Sequence, residues 1–178
     1  NILKYMNEQI DFTIIGAQYN DNSQWKPFGY FEENKKKPNP SSDDLDLIEA
    51  DWVIGCSMLI DLNKFENKNI FDKNYFLFFE EFDLCKQIKK SRQKIFSSKS
   101  LKIDHLGFSG SFATKKEYKI EALKIRNWHF MWSFFYYHKK NDGYFYAIKK
   151  TLGNLIKSFL KTLYYTLTFN NHEKTRYH

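Results

Sequence analysis

The spacing of apolar positions along the chain predicts short strands followed by longer helices. Residues 1–9 have helical spacing, and Phe12–Ala17 is a short apolar run typical of a buried strand. Asp51–Leu62 predicts a second, longer strand interrupted by Gly55, and such a glycine often marks the close approach of a ligand or another backbone. Glu80–Lys90 predicts a helix, because its apolar residues are four apart and carboxylates fill its first turn.

The rest of the chain begins with strands and ends in helices. Two short strands are predicted over residues 94–97 and 101–105. Residues 117–139 form an aromatic helical segment that Asn141-Asp142-Gly143 ends. The last helix is predicted over residues 144–169, where apolar residues follow helical spacing and lysines lie off that stripe.

This order of elements predicts an α/β fold that continues into amphipathic helices. We expect a first part over residues 1–115 and a helical, basic and aromatic extension over residues 116–178. Tyr19–Asp46 contains all three prolines and predicts a long surface loop, which is either a binding loop or disordered. The opening helix and strand resemble the middle of an α/β domain, so we expect further sequence on the amino-terminal side.

Composition leaves several classes of partner open. The net charge of +7 and an aromatic content of 19% are compatible with nucleic acid, an anionic membrane surface or phosphorylated substrates. An AT-rich genome would explain the charge equally well, and the chain has no known nucleic-acid-binding motif, so we expect no nucleic acid partner. Cys56 and Cys85 lack disulfide-framework or metal-site spacing, and no signal peptide is visible. We therefore expect a cytoplasmic protein.

Three carboxylates, Glu80, Glu81 and Asp83, follow a run of apolar and aromatic residues at Tyr75–Phe79. If that run ends a strand, the acids emerge at a strand-to-helix junction, where open α/β sheets bind ligands. Like charges beside bulky rings raise at least one pKa, which suits a general base. Acids at a helix start are also common caps, and that interpretation stays open.

A histidine and a loop of small residues form the second candidate site. His105 ends a predicted strand, and Ser109 and Ser111 lie in the glycine- and serine-rich stretch that follows. Histidine is a frequent metal ligand, and such loops admit phosphate groups. An ordinary histidine before a surface turn is the alternative.

Three segments resemble the carboxy-terminal half of inverting family 2 glycosyltransferases, particularly the rhamnosyltransferase-like branch. They are WVIGCSMLIDLNKF (52–65), FDKNYFLFFEEFDLCKQ (71–87) and HLGFSGS (105–111). The resemblance implies a partial GT-A fold, with a mixed sheet and flanking helices, in which residues 1–115 form the acceptor side. It also implies transfer of a sugar from a nucleotide-sugar donor to a hydroxyl of a glycan or lipid-linked acceptor, as in polysaccharide biosynthesis of the cell envelope.

The resemblance assigns functions to the candidate residues. Glu81 matches the catalytic base, where the family has aspartate, while Glu80 precedes it and Asp83 matches an orienting acid. The longer glutamate side chain shifts the carboxylate by more than an ångström, so Glu81 is either a repositioned base or a weakened one. Asp51, Trp52 and Gly55 match the acceptor-binding cleft, with packing as the alternative for Trp52.

The same resemblance assigns His105 to a divalent metal, Mn²⁺ or Mg²⁺, or to the diphosphate, and Ser109 and Ser111 to the diphosphate loop. The family holds the metal mostly through upstream residues. Asp44-Leu45-Asp46 lies after the expected position and is treated as a coincidence. We therefore expect this chain to lack the donor half and to be inactive alone.

Two further expectations concern partners. Residues 128–169 combine an apolar stripe with lysines and interfacial aromatic residues, which predicts peripheral contact with the inner face of the cell membrane. Packing of that stripe on the domain or on a second subunit is the alternative. The alternative function is a non-catalytic module, derived from a transferase, that binds a glycan or a partner enzyme.

Overall fold

The computed structural model describes residues 10–21, 24–26, 29–31, 46–66, 69–104 and 116–168, which form an α/β protein. Its strands are β1 Ile14–Asp21, β2 Gln24–Lys26, β3 Leu47–Ala50, β4 Met58–Ile60 and β5 Ile95–Asp104. Its helices are α1 Glu80–Lys90, α2 Lys116–Asn141 and α3 Tyr144–Leu167, with a 3₁₀ turn at Leu62–Lys64.

Strand β1 is the centre of a mixed sheet. It pairs in parallel with β5, and antiparallel β3 extends the sheet beyond β5. On its other side, β1 pairs antiparallel with β4 near its start and with β2 near its end. The register of β1 on β5 shifts between Ala17 and Gln18. The expected α/β class is confirmed, and the sheet is mixed.

The core follows the alternation of side chains along β1. Ile14 is fully buried in one cluster with Val53, Ile95 and residues of α1, whereas Ile15 belongs to a second cluster with Phe12 and Leu47. Successive residues of a strand point to opposite faces, so a continuous apolar run is stable only where both faces are covered. This explains why Phe12–Ala17 is apolar except for Thr13, whose buried hydroxyl hydrogen-bonds to the side chain of Gln93.

The helices begin and end close to where the sequence predicts them. The predicted helix over Glu80–Lys90 is confirmed by α1. The last two predicted helices are confirmed as α2 and α3, with bounds that differ by one or two residues. Gly143 separates these two helices at φ 100°, a conformation that glycine adopts without strain.

The strands differ from the prediction in two regions. Within Asp51–Leu62 only Met58–Ile60 is a strand, because Trp52 pairs with Gly29 as an isolated bridge and the chain turns at Gly55. The two strands predicted at 94–97 and 101–105 are one strand, β5, which continues through the register shift.

The apolar run Tyr75–Phe79, which would place the acids at a strand-to-helix junction if it were a strand, is not a strand. This segment is a series of bends in which Phe78 has φ 69° and Phe79 has φ 67°, so α1 follows a loop. The predicted loop at 19–46 is partly structured, because β1 extends to Asp21 and β2 follows it. The helix predicted over residues 1–9 lies outside the described residues.

The chain divides into two compact units. Residues 1–72 and 80–106 form the first, as far as they are described, and contain the sheet and α1. Residues 73–79 and 107–178 form the second, which contains α2 and α3. In this second unit the ring of Phe79 packs against Phe130, Phe134 and Tyr137 of α2.

Candidate active site

The first turn of α1 and the turn after Trp52 bring Glu81 and Gly55 into contact. A Cβ atom placed on Gly55 would lie 3.5 Å from Cβ and 3.7 Å from Cδ of Glu81. The backbone N–H of Gly55 also hydrogen-bonds to the Glu81 carboxylate. The structure therefore brings two of the predicted site residues, Gly55 and Glu81, together.

The surroundings of Glu81 raise the pKa of its carboxyl group to near neutrality. The pKa of Glu81 rises from 4.5 to about 7, mainly because the carboxyl group is buried; the charge of Glu80 contributes to the rise, and backbone N–H groups of Glu81 and Gly55 oppose it. Its Oε2 atom is buried and has no hydrogen-bond partner among the described residues. A carboxylate with a free oxygen and a pKa close to the working pH is suited to proton abstraction.

The other two acids of the cluster differ in burial. Asp83 is 3% exposed and lies next to the core residues Leu84 and Cys85. Glu80 is half-buried, and its Oε2 atom has no hydrogen-bond partner in the described part of the chain. Glu80 and Glu81 therefore each have one buried carboxylate oxygen without a hydrogen-bond partner, and the whole Asp83 residue is buried.

The buried carboxylate of Asp51 contacts both the segment at residues 29–31 and helix α1. This carboxylate accepts a hydrogen bond from the backbone N–H of Phe31 at 3.0 Å and lies 3.5 Å from Nζ of Lys89 on α1. Lys86, one helical turn earlier, places Nζ 4.5 Å from the centre of the Phe31 ring. These contacts attach residues 29–31 to α1 and give Asp51 a structural function, while its assignment to acceptor binding stays a prediction.

We predict that Asp51→Ala lowers the free energy of unfolding by about 2–3 kcal/mol, because it leaves the Phe31 N–H unpaired and removes a buried partner of Lys89. Glu49→Ala is the matched control, since Glu49 lies 3.2 Å from the same lysine but its side chain is 55% exposed. We expect Glu49→Ala to lower the free energy of unfolding by less than about 0.5 kcal/mol. Urea unfolding measures both, and equal losses would contradict the structural function of Asp51.

Trp52 contacts protein on several sides. Its ring lies 4.8 Å from that of Phe82, and it packs against the core cluster of the first unit. A Cβ atom on Gly29 would collide with the indole ring. These contacts favour the packing interpretation of Trp52, although the side chain is half-buried and keeps some accessible surface.

The remaining predicted site residues lie outside the described residues. They are His105, Ser109 and Ser111. The described part of the chain contains no group of three His, Cys, Asp or Glu side chains that could hold a metal ion. The assignment of His105 to a metal therefore stays a prediction.

Two features of the structure have no clear signal in the sequence. Burial raises the pKa of the Cys56 thiol, its own backbone N–H and that of Ser57 oppose the rise, and the charge of Glu81 raises it further. The second feature lies outside this site, in the second unit: it is the left-handed conformation of Phe78 and Phe79. Such strain costs roughly 1–3 kcal/mol per residue and persists only where other contacts enforce it. The ring contacts of Phe79 with α2 are of that kind.

Comparisons of the chain with protein-family models, with curated proteins and with solved structures found no match.

Proposed function

We propose that the protein is the acceptor-side part of an inverting glycosyltransferase of GT-A type and that Glu81 is its catalytic base. One observation carries the proposal: the Glu81 carboxylate lies beside Gly55 with an unpartnered oxygen and a pKa of about 7. The sequence resemblance supports it independently, because the position of the family's base coincides with the carboxylate whose pKa is raised to near neutrality.

In the proposed reaction, Glu81 takes the proton of an acceptor hydroxyl. The hydroxyl oxygen then attacks the anomeric carbon of the donor sugar, and the bond from that carbon to the nucleoside diphosphate breaks. The diphosphate leaves with the bonding electron pair, and attack from the opposite face inverts the anomeric centre. The divalent metal that the resemblance implies would stabilise the departing diphosphate.

The chain's own residues have defined tasks in this proposal. The absence of a side chain at Gly55 leaves room beside the carboxylate of Glu81 for an acceptor hydroxyl. The Gly55 N–H, by its hydrogen bond, holds the carboxylate in one orientation. The proposed acceptor is a glycan or a lipid-linked saccharide, and the donor is a nucleotide sugar.

The test is sugar transfer by the intact protein from UDP-, dTDP- and GDP-sugars with Mn²⁺. We expect the rate to increase with pH through about 7, because the base must be deprotonated. Glu81→Gln should lower kcat by about 10²–10⁴. Glu66→Gln, a change at an exposed glutamate, is the control and should leave the rate unchanged.

Two outcomes would overturn the proposal. Transfer that survives Glu81→Gln would exclude Glu81 as the base. Glycan binding without transfer from any donor, equally strong in wild type and Glu81→Gln, would favour the non-catalytic binding module.

A further inference from the structure

Helix α3 packs on α2 through its small and polar residues. Ala147 and Thr151 are its buried residues, and Asn154, Ser158 and Thr162 continue the same side at intermediate exposure. The Oγ1 atom of Thr151 donates to the carbonyl oxygen of Ala147 at 2.9 Å, so this hydroxyl needs no partner on α2. The contact between the two helices therefore uses little of the apolar surface of α3.

The large apolar residues of α3 remain largely exposed. Phe159 is 68% exposed and Leu167 is 70% exposed. We call this surface the α3 apolar face, and its other members are Ile148, Leu152, Leu155, Ile156, Leu160 and Leu163, each at least 37% exposed. A surface helix of a globular protein normally buries such a stripe and exposes its polar side. The reverse arrangement in α3 indicates a surface that contacts an apolar environment.

Aromatic residues and a groove extend this surface onto α2. Trp128 and Trp132 are 64% and 46% exposed, and their rings are stacked with centroids 6.3 Å apart. Phe145, near the turn between the helices, is 86% exposed. A groove of about 300 Å³ runs between the helices, lined by Met131 and Phe135 of α2 and by residues of the α3 apolar face. Exposed tryptophan is typical of the interface between membrane and water.

Charge distinguishes a lipid surface from a second copy of the chain. Helix α3 has four lysines, Lys149, Lys150, Lys157 and Lys161, and no acidic residue. Over residues 127–167 the only acidic residue is Asp142, which lies 2.6 Å from His138. Two copies joined through this surface would bring lysines against lysines, whereas anionic headgroups attract them.

We propose that the α3 apolar face lies in the plane of an anionic membrane surface, with its lysines contacting lipid phosphates. None of the helices in the described ranges has the length and apolar composition to cross a bilayer, so the proposed contact is with one leaflet. A helix of 24 residues covers about 36 Å of that surface. The proposal does not depend on the transferase activity, since it follows from α2 and α3 alone.

The test is sedimentation of the protein with vesicles of phosphatidylcholine, alone or with 30% phosphatidylglycerol. We expect binding to the anionic vesicles to be at least about tenfold stronger and to weaken with salt. Replacing the four α3 lysines by glutamine should reduce it by about a hundredfold. Phe159→Ser with Leu163→Ser should reduce it by at least about tenfold, because the buried apolar area falls.

A matched control removes the same charge elsewhere. Lys90, Lys94, Lys99 and Lys102 are exposed residues of the first unit, and their replacement by glutamine should reduce binding less than about fivefold. Circular dichroism checks that each variant keeps its helices. Equal losses in both lysine quartets would overturn the proposal, as would no binding by the wild type. Dimers that Phe159→Ser with Leu163→Ser disrupts, without vesicle binding, would identify a second copy as the occupant.

Discussion

Replacing Glu81 by glutamine should make the protein more stable at pH 8, by up to about 3 kcal/mol in the free energy of unfolding. Burial, aided by the charge of Glu80, raises the pKa of Glu81 from 4.5 to about 7 in the folded protein. Between these values the folded state binds the proton and the unfolded chain does not. Stability therefore falls as the pH rises from about 4.5 to about 7, and the full cost is present at pH 8.

Glutamine is neutral at every pH and similar in shape to protonated glutamic acid, so the variant avoids this cost. Wild type and Glu81→Gln should be nearly equal in stability at pH 5 and should differ most at pH 8. Urea unfolding at both pH values, followed by tryptophan fluorescence, measures the difference. Glu66→Gln, at an exposed glutamate, should leave the pH dependence of the wild type unchanged. Parallel profiles for wild type and Glu81→Gln would contradict the raised pKa.

The expected gain in stability has a functional meaning. A charged carboxylate held in a buried position costs folding free energy, and the proposed base retains it because catalysis needs a proton acceptor near pH 7. Glu81→Gln should therefore lose activity while gaining stability. A residue that served only as a helix cap would show neither the gain at pH 8 nor the loss of transfer.

The second large effect is expected at Gly16, in the middle of β1. A Cβ atom there would lie 2.5 Å from Cβ of Val53 and 2.7 Å from Cγ1, and Val53 is fully buried. Gly16→Ala should lower the free energy of unfolding by about 3 kcal/mol, because neither the strand nor Val53 has space to move. Val53 also starts the turn that carries Gly55, so the displacement should reach the candidate site.

Gly55→Ala is the matched control for Gly16→Ala. The added Cβ atom would lie 3.5 Å or more from Glu81, which is an ordinary van der Waals distance. We therefore expect the free energy of unfolding to change by less than about 0.5 kcal/mol. The double variant Gly16→Ala with Val53→Gly should lose less stability than the two single variants together. We expect its free energy of unfolding to be at least about 1 kcal/mol higher than the sum of the two single losses predicts. Additive effects in this cycle would show that the collision with Val53 is not the cause of the loss.

The sequence predicts most accurately where structure is local. Helices α1, α2 and α3 have periodic apolar residues and clear ends, such as Gly143, so their bounds follow from spacing and turn chemistry. The strands were less predictable. Trp52 lies in an apolar run that predicts a strand, yet it pairs with Gly29, a residue far away in the chain. Strand pairing depends on such partners, which periodicity does not contain.

The candidate site was also predictable from the sequence only in part. The cluster of Glu80, Glu81 and Asp83 at a helix start is visible in the sequence, and the resemblance selects Glu81 as base. That Glu81 keeps an unpartnered oxygen and has a pKa near 7 depends on burial and on the turn at Gly55. The left-handed backbone of Phe78 and Phe79 was not predictable either, because aromatic residues rarely adopt it and only tertiary contacts enforce it.

The sequence by itself determined the α/β class, the three helices and the acids that open α1, because helical periodicity and end signals act over a few residues. Only the tertiary structure decided which acid has its pKa raised to about 7 and which side of α3 faces outward. An amphipathic pattern predicts a stripe but not its environment, and α3 buries Ala147 and Thr151 while its leucines stay exposed. Burial and desolvation are properties of packing, and they arise only when distant segments of the chain meet.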